Sequence, residues 1–299
     1  MKILLTGATG FIGSQIVVSL TEKYGRDSVV ILSSKNVVGV TCFEYRNLGD
    51  FGTEATSFDD ITHVIHAGAF IPKSTDQAGN IEACCSNIDF TKTLLSHNFR
   101  SLVRILNIST ADVYEATNGR LSESSPIRPV SLYASSKLYC EDMVKTFCET
   151  SKASYINLRV GHVYGPGEEK YKKILPLAIK NILAGKPVEL WGDGSDLRSF
   201  IFINDVVEAI MNALTLSNNN ININVVSGNA VSIFELLQIL KSVVSESITI
   251  INRDSSHIQR DLIFDNSYLL HTVLKKETDL KHGLKLEYEY MKGKYENNI

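Results

Sequence analysis

The stretch Lys2-Ile3-Leu4-Leu5-Thr6-Gly7-Ala8-Thr9-Gly10-Phe11-Ile12-Gly13 decides the fold of this chain. Its first half is an apolar run of strand length, and its second half spaces Gly7, Gly10 and Gly13 just before an amphipathic stretch. Glycine permits a tight reversal of the backbone and a close approach of neighbouring groups, because it has no Cβ. The stretch therefore predicts a strand that turns directly into a helix.

Short β-branched runs alternate with helical periodicity through the rest of the first half of the chain. We predict strands at 2–6, 28–33, 41–46, 63–66, 102–108 and 155–159, and helices at 10–23, 82–97 and 133–151. Apolar strands separated by helices indicate a parallel sheet covered on both faces, and right-handed crossovers make that sheet doubly wound. The predicted fold class is α/β, with a Rossmann-like doubly wound parallel sheet.

The glycine turn also predicts a ligand, because a glycine-rich turn between a strand and a helix is the usual binding site of a dinucleotide. The free N–H groups and the positive end of the helix then face the pyrophosphate. An acidic residue at the end of the second strand would favour NAD(H). Ser33, Ser34 and Lys35 stand there instead, and two hydroxyls with an ammonium favour a 2′-phosphate. NADP(H) is the preferred cofactor, and NAD(H) is the alternative. The interpretation of Lys35 as an ordinary solvated lysine remains open.

After about residue 165 the predicted elements become shorter and less regular. We predict helices at 171–184, 204–215 and 232–245, strands at 187–191, 221–226 and 248–251, and Asn204 as a helix cap. The polar tail at 287–299 is expected to lose its order toward its end. We therefore expect a dinucleotide-binding domain at 1–165 and a smaller α/β substrate-binding region at 166–299, with a return of the chain to the first domain around 200–230.

Composition narrows the classes of partner. The 299 residues are 44% hydrophobic and 21% charged, with a net charge of −3, as in an ordinary globular protein. The sequence has no basic stripe with interleaved aromatic residues, so no nucleic acid is expected, and its apolar runs are too short for a membrane span. The five cysteines match no zinc spacing, so no metal is expected. A cytoplasmic location is the default.

Tyr133 and Lys137 open a predicted helix with a spacing of four residues, so they share one helical face. A phenol with a pKa of about 10 is a poor acid or base at neutral pH. A neighbouring ammonium is expected to lower the pKa of the phenol. The loop after the fifth strand adds a hydroxyl that can hydrogen-bond the substrate oxygen which Tyr133 protonates.

Together these segments resemble the extended short-chain dehydrogenase/reductases that act on nucleotide sugars, over nearly the whole chain. The resemblance includes the glycine turn, Val64-Ile65-His66-Ala67-Gly68-Ala69, Asn87, residues 109–114, Tyr133 with Lys137, residues 158–167 and residues 198–206. It implies that Thr110 is the catalytic hydroxyl, Tyr133 the acid–base group and Lys137 its partner. It also implies that Arg198 grips a substrate diphosphate, with Arg260 as a second contact.

The expected cofactor contacts come from the glycine turn, the ends of the neighbouring strands and the catalytic helix. They are Gly7, Thr9, Gly10, Phe11, Ile12, Gly13, Ser33, Ser34, Lys35, Asn47, Leu48, Ala67, Gly68, Ala69, Asn87, Tyr133, Lys137, Val160 and His162. The expected substrate contacts are Thr110, His162, Arg198 and Arg260, and a purely structural role for His162 remains open. The nucleotide is expected to be read by residues 168–174 and 187–191. Relatives often form homodimers through the helices predicted at 82–97 and 133–151.

Three reactions are compatible with this resemblance: 4,6-dehydration, 4-epimerisation and reduction of a keto sugar. Dehydratases carry Asp-Glu where this chain has Ala111 and Asp112, so dehydration is not expected. A reductase must exchange its cofactor at every turnover and usually draws on NADPH, which residues 33–35 favour. His162 stands where many epimerases have Asn. The leading expectation is an NADPH-dependent reductase of a nucleotide-linked 4-keto-6-deoxy sugar, serving deoxysugar or surface-polysaccharide precursors. An NAD-dependent 4-epimerase is the alternative, and a non-catalytic NADP-binding protein is a remote one.

Overall fold

The computed structural model describes residues 1–45, 58–74, 76–115, 119–245, 247–254 and 261–296. Seven described strands form one sheet, and all their pairings are parallel. Numbered along the chain, they are β1 (Ile3–Thr6), β2 (Val29–Ser33), β3 (Thr41–Glu44), β4 (His63–His66), β5 (Arg104–Thr110), β6 (Ser154–Val160) and β10 (Ile221–Val225). Their order is β10-β6-β5-β4-β1-β2-β3, which confirms the Rossmann-like fold.

Helices cover both faces of this sheet. One face packs against α1 (Phe11–Tyr24) and α5 (Ile203–Ala213), and the other packs against α2 (Ile81–Leu95) and α3 (Leu132–Ser151). Most of these strands are buried along almost their whole length, because they are largely apolar on both sides, whereas the edge strand β3 has Thr41 and Glu44 exposed. All elements predicted for the first half are present, with ends within two residues of the predicted ones.

A ligand crevice follows from the strand order. β1 has β2 on one side and β4 on the other, so the crossovers leave β1 in opposite directions and open a gap at the carboxyl ends of the strands. Thr6, the last residue of β1, is in register with His66, the last residue of β4. The glycine turn begins at the next residue and therefore lies at the mouth of this gap.

The glycine turn is packed too tightly for side chains. Gly7 has φ of 74°, and a Cβ there would lie 2.6 Å from the carbonyl carbon of Ala67 and from the backbone nitrogen of Gly68. A Cβ on Gly13 would lie 2.7 Å from the carbonyl carbon of Gly7. The Gly10 N–H donates to the Gly7 carbonyl oxygen at 2.9 Å. The helix thus starts directly against the end of the first strand, as the spacing of the glycines predicts.

Residues after 161 form most of a smaller layer beside the large sheet. It contains a three-stranded sheet, a two-stranded sheet and further helices: β7 (His162–Tyr164), β8 (Val188–Trp191), β9 (Leu197–Phe202), β11 (Ala230–Ser232), β12 (Ile250–Arg253), α4 (Ile174–Leu183), α6 (Ile233–Val243), α7 (Ser267–Thr272) and α8 (Leu280–Glu296). The chain returns to the large sheet as β10, which pairs with β6. No helix among the described residues is long and apolar enough to cross a membrane.

One expectation for this region is wrong. The helix predicted at 204 begins at Ile203 with Phe202 at its N-cap, so Asn204 lies inside the helix and does not cap it. The polar tail forms a helix as far as Glu296, because Leu284, Tyr288 and Met291 recur at helical spacing and are buried. The end of the tail at 297–299, where loss of order was expected, lies outside the described residues. Strands β7, β9 and β11 were not predicted.

We expect Gly13→Ala to lower the free energy of unfolding by about 3 kcal/mol and to abolish dinucleotide binding, because its Cβ would collide with the Gly7 backbone. Gly293→Ala is the matched control, since nothing lies within 4 Å of an added Cβ there. That change should raise stability by up to about 1 kcal/mol, because alanine favours a helix. Urea unfolding measures both variants, and equal stabilities would contradict the prediction.

Candidate active site

The carboxyl ends of β1, β4, β5 and β6 open into a cavity of about 1630 Å³. Most of the predicted site residues line it: Gly7, Thr9, Gly10, Phe11, Ile12, Gly13, Ser33, Ser34, Ala67, Gly68, Ala69, Asn87, Thr110, Tyr133, Lys137, Val160, His162 and Arg198. Lys35 is exposed and is not among the lining residues. Asn47, Leu48 and Arg260 lie outside the described residues.

The start of α3 carries the predicted acid–base pair. Ser131 caps this helix, since its hydroxyl accepts from the Ala134 N–H at 3.1 Å. Tyr133 lies in the first turn and Lys137 one turn later, and both are buried, at 9% and 2% exposure. The sequence spacing of four therefore brings the phenol and the ammonium to the same side of the cavity.

The hydroxyls of Thr110 and Tyr133 are hydrogen-bonded to each other, which joins the end of β5 to the start of α3. Burial raises the pKa of Tyr133 above its usual value, and the nearby carboxylate of Asp112 adds to this, whereas the Thr110 hydrogen bond lowers it. Burial is thus the largest influence on the pKa of this phenol, and it acts in the direction opposite to the one expected from Lys137. Tyr133 is therefore held in its protonated form.

A buried ion pair fixes α3 against the sheet. Glu141, one turn beyond Lys137, accepts from Arg159 of β6 at 2.7 Å, and their side chains are only 3% and 5% exposed. The hydroxyl of Ser109 donates to the same carboxylate at 2.5 Å. Arg159 also donates to the Tyr114 hydroxyl at 2.8 Å. These bonds set the position of the β5 end, and hence of Thr110, relative to the helix.

A second set of hydrogen bonds holds the loop after β4. Thr6 Oγ1 accepts from the Gly68 N–H at 2.9 Å and bonds His66 Nδ1 at 2.9 Å. Asn87 accepts from the Phe70 N–H at 2.6 Å and donates to Ser136 Oγ at 3.1 Å. The loop is thereby tied to β1, α2 and α3, which shapes the wall of the cavity next to the glycine turn.

His66 is an uncharged part of this arrangement. Burial lowers its pKa to about 3, and the ammonium of Lys137 acts in the same direction. Its other ring nitrogen bonds Thr91 Oγ1 at 3.0 Å. A neutral imidazole here orders the end of β4 without adding a second positive charge beside Lys137.

The charge of the cavity suits phosphorylated ligands. Its described lining contains one acidic residue, Asp112, and five basic ones: Lys73, Lys137, Lys170, Lys173 and Arg198. Arg198 is held in place by Asp196, at 3.3 Å, and by the Leu197 carbonyl oxygen, at 2.9 Å. A cofactor pyrophosphate and a substrate diphosphate together would balance this excess of positive charge.

Sequence reasoning did not single out four further lining residues, although it expected residues 168–174, which include three of them, to read the nucleotide of the substrate. Lys73 follows the β4 loop, and Lys170, Tyr171 and Lys173 follow the Gly165-Pro166-Gly167 turn. The run of lysines directly after a glycine–proline turn is the signal that could have marked them. By contrast, the strand β8, where part of the nucleotide recognition was expected, contributes none of the described lining residues.

The glycine turn fits a dinucleotide. The backbone at Gly7, Gly10 and Gly13 leaves the start of α1 free of side-chain caps, and its first turn contains no acidic residue. The N–H groups of that turn are therefore available to an anion and carry the positive end of the helix dipole. The lining residues Ser33 and Ser34 stand at the end of β2, where the adenosine ribose of a dinucleotide lies in this fold.

A family model described as the NAD dependent epimerase/dehydratase family matches residues 3–225, about three quarters of the chain. The chain belongs to this family. A dTDP-D-glucose 4,6-dehydratase of Dictyostelium discoideum is 28% identical over 70% of this chain and 54% of that protein. A putative UDP-glucose 4-epimerase of Methanocaldococcus jannaschii is 27% identical over 97% of this chain and 98% of its own length.

The fold agrees with solved structures. The UDP-glucuronic acid 4-epimerase of Bacillus cereus, in complex with UDP-glucuronic acid and NAD, superposes with a TM-score of 0.81. The two sequences are 23% identical, and the alignment covers 99% of this chain and 100% of the other. At this identity the similarity bears on the fold, which extends over the second region as well as the large sheet.

We expect stability to fall by roughly 2–3 kcal/mol between pH 7.5 and pH 4.5 on account of His66, because an unfolded histidine takes up a proton below about pH 6.5 and the folded one does not. The pKa of folded His66 is about 3, so this stability is present above pH 6.5 and is lost as the pH falls toward 3. Urea unfolding across this pH range measures the change.

His66→Gln is the matched variant, since glutamine does not titrate. It should be less stable than the parent at pH 7.5, with a shallower fall on acidification. An identical pH dependence in the two proteins would show that His66 is not the residue responsible.

Proposed function

We propose that this protein is an NADPH-dependent reductase of a nucleotide-diphosphate-linked 4-keto-6-deoxy sugar, with hydride transfer to C4. The observation that carries the proposal is the end of β2, where Ser33 and Ser34 line the cavity without a carboxylate. Such an end accepts a 2′-phosphate, whereas an acidic residue would repel it. The preference for NADP(H) over NAD(H) follows from this chemistry.

The protonation state of Tyr133 also supports reduction. Reduction needs a proton donor at the carbonyl oxygen, and burial keeps the pKa of Tyr133 high, so the phenol holds its proton at neutral pH. Oxidation of a sugar hydroxyl, the first step of an epimerase or a dehydratase, needs a phenolate instead. A protonated Tyr133 can therefore act as the proton donor that reduction requires.

In this proposal, bound NADPH supplies the hydride, and the residues of the chain manage the proton and the charge. Thr110 orients the carbonyl oxygen, and Tyr133 gives its proton to that oxygen. Lys137 stabilises the negative charge that develops on the oxygen and on the phenol. Glu141 holds α3 in place during this step, since it bonds Ser109 of β5 and pairs with Arg159 of β6. Arg198 binds the substrate diphosphate.

Dehydration is disfavoured by the side chain at position 111. Ala111 lines the cavity beside Thr110 with a methyl group, and Asp112 is the one acid among the described lining residues. Loss of water from a sugar requires an acid at the leaving oxygen and a base at the neighbouring carbon. Thr110 and its neighbours supply at most one of these two groups.

A 4-epimerase of nucleotide sugars is the second candidate. It is favoured by the full-length similarity to the putative UDP-glucose 4-epimerase and by the NAD-bound epimerase with the same fold. An epimerase returns the hydride to the same substrate, so it would retain its cofactor and show no net turnover of it.

Absorbance at 340 nm tests the two candidates. Purified protein is incubated with NADPH or NADH and a panel of dTDP-, GDP-, CDP- and UDP-linked 4-keto-6-deoxy sugars. A reductase consumes NADPH faster than NADH with at least one of them. The epimerase candidate replaces the reductase if two results are obtained together. No 4-keto sugar leads to oxidation of NADPH or NADH, and a nucleotide hexose is converted to its 4-epimer while the protein retains its cofactor.

We expect Tyr133→Phe to lower kcat by about 10³-fold with little change in KM, because the proton donor is lost and the binding surface is kept. Tyr139→Phe is the matched control: it lies on the same helix, is 54% exposed and is outside the cavity lining. Steady-state rates and thermal melts of both variants measure the effect. A Tyr133→Phe variant with parental kcat would remove Tyr133 from its assigned role.

A further inference from the structure

A strap formed by residues 165–173 crosses the glycine turn. It connects β7 to α4 and starts with two glycines in the left-handed region, Gly165 at φ 129° and Gly167 at φ 102°. A Cβ on Gly167 would lie 3.2 Å from the ring of Phe11, so the strap runs directly over the first residue of α1. Residues of the second region are thereby brought onto the dinucleotide turn.

Two side chains of the strap contact the turn itself. The ring of Tyr171 packs against that of Phe11, with the centroids 6.1 Å apart. The ammonium of Lys170 lies 3.4 Å from the carbonyl oxygen of Thr9 and also faces the Tyr171 ring at 5.7 Å. Lys170, Tyr171, Thr9 and Phe11 all line the cavity. An ammonium has three donors, so Lys170 can bond Thr9 and an incoming anion together.

The outer side of the strap is held by other charges. Glu169 pairs with Lys294 of α8 at 2.6 Å, and the buried Glu168 pairs with Lys173 at 3.0 Å. Glu168 and Glu169 are both engaged in this way, while the ammonium of Lys170 reaches the carbonyl oxygen of Thr9 in the glycine turn. The position of Lys170 is thus set from the second region.

The surroundings of Lys170 indicate an anion as its partner. The N-terminus of α1 has no acidic residue in its first turn and no side-chain cap, so its positive end is not neutralised by the chain. A lysine placed beside such an end adds to the repulsion unless a negative ligand lies between them. Arg198, the expected ligand of the substrate diphosphate, is on β9 and is held there by Asp196.

We propose that the ammonium of Lys170 binds the pyrophosphate of the dinucleotide, so that the strap closes over the cofactor at the glycine turn. This inference rests on the proposed function only in that the cofactor is NAD(P)(H). It assigns to the second region a direct part in cofactor binding. The strap also becomes a barrier to cofactor release, because release breaks the Lys170 contact.

The test compares the full-length parent with Lys170→Ala, Lys170→Arg and Lys172→Ala. Lys172 is the matched control, because it is an exposed lysine of the same strap outside the cavity lining. Dissociation constants for NADPH and NADH are measured by cofactor fluorescence at 50 and 300 mM salt, and those for UDP and dTDP by calorimetry. Thermal melts confirm that each variant is folded.

We expect Lys170→Ala to weaken the binding of NADPH and of NADH equally, by about tenfold at low salt, as is typical for the loss of a charge-assisted hydrogen bond. The difference should shrink at 300 mM salt, where exposed charges are screened. Lys170→Arg should restore most of the affinity, and Lys172→Ala should match the parent. The affinities for UDP and dTDP should not change.

Other outcomes overturn the inference in distinguishable ways. A loss of affinity confined to NADPH would show that Lys170 binds the 2′-phosphate. A loss of affinity confined to UDP or dTDP would show that it binds the substrate. Unchanged affinities in Lys170→Ala would exclude any phosphate contact. If the parent itself binds neither NADPH nor NADH, the proposed function fails, independently of Lys170.

Discussion

The ion pair between Glu141 and Arg159 is the contact on which the geometry of the site depends. It lies beneath the cavity, with both side chains almost fully buried, and joins α3 to β6. Ser109 and Tyr114 bond the same two charges, so the end of β5 is fixed by them as well. Two buried charges are stable only when each is fully satisfied, which leaves little freedom for relative movement of the three elements. Thr110, Tyr133 and Lys137 are consequently held together.

Burial has two opposite electrostatic effects in this cavity. Burial lowers the pKa of Lys137, and the nearby carboxylate of Glu141 opposes this shift. Burial raises the pKa of Tyr133, and the carboxylate of Asp112 raises it further. The phenol therefore keeps its proton, although an ammonium lies one helical turn away. A preorganised donor of this kind suits a reaction in which negative charge appears on a carbonyl oxygen.

The smaller region encloses one side of the cavity and also reaches the glycine turn. Its strap lies on the glycine turn through Tyr171 and Lys170, and α8 holds the strap from behind through Lys294. The polar C-terminal helix thus influences the dinucleotide end of the site, which is far away in sequence. The cavity is a joint product of both parts of the chain, and its excess of basic side chains comes from both.

The sequence by itself determined the parallel sheet, the glycine turn and the pairing of Tyr133 with Lys137, because periodicity, the absence of a Cβ and helical spacing act over a few neighbouring residues. It also determined the family through motifs in a fixed order. Only the tertiary structure decided the raised pKa of Tyr133, the exposure of Lys35 outside the cavity lining and the approach of Lys170 to Thr9. Each of these depends on burial or on contacts between residues distant in sequence. Such effects arise from packing, and no local pattern encodes them.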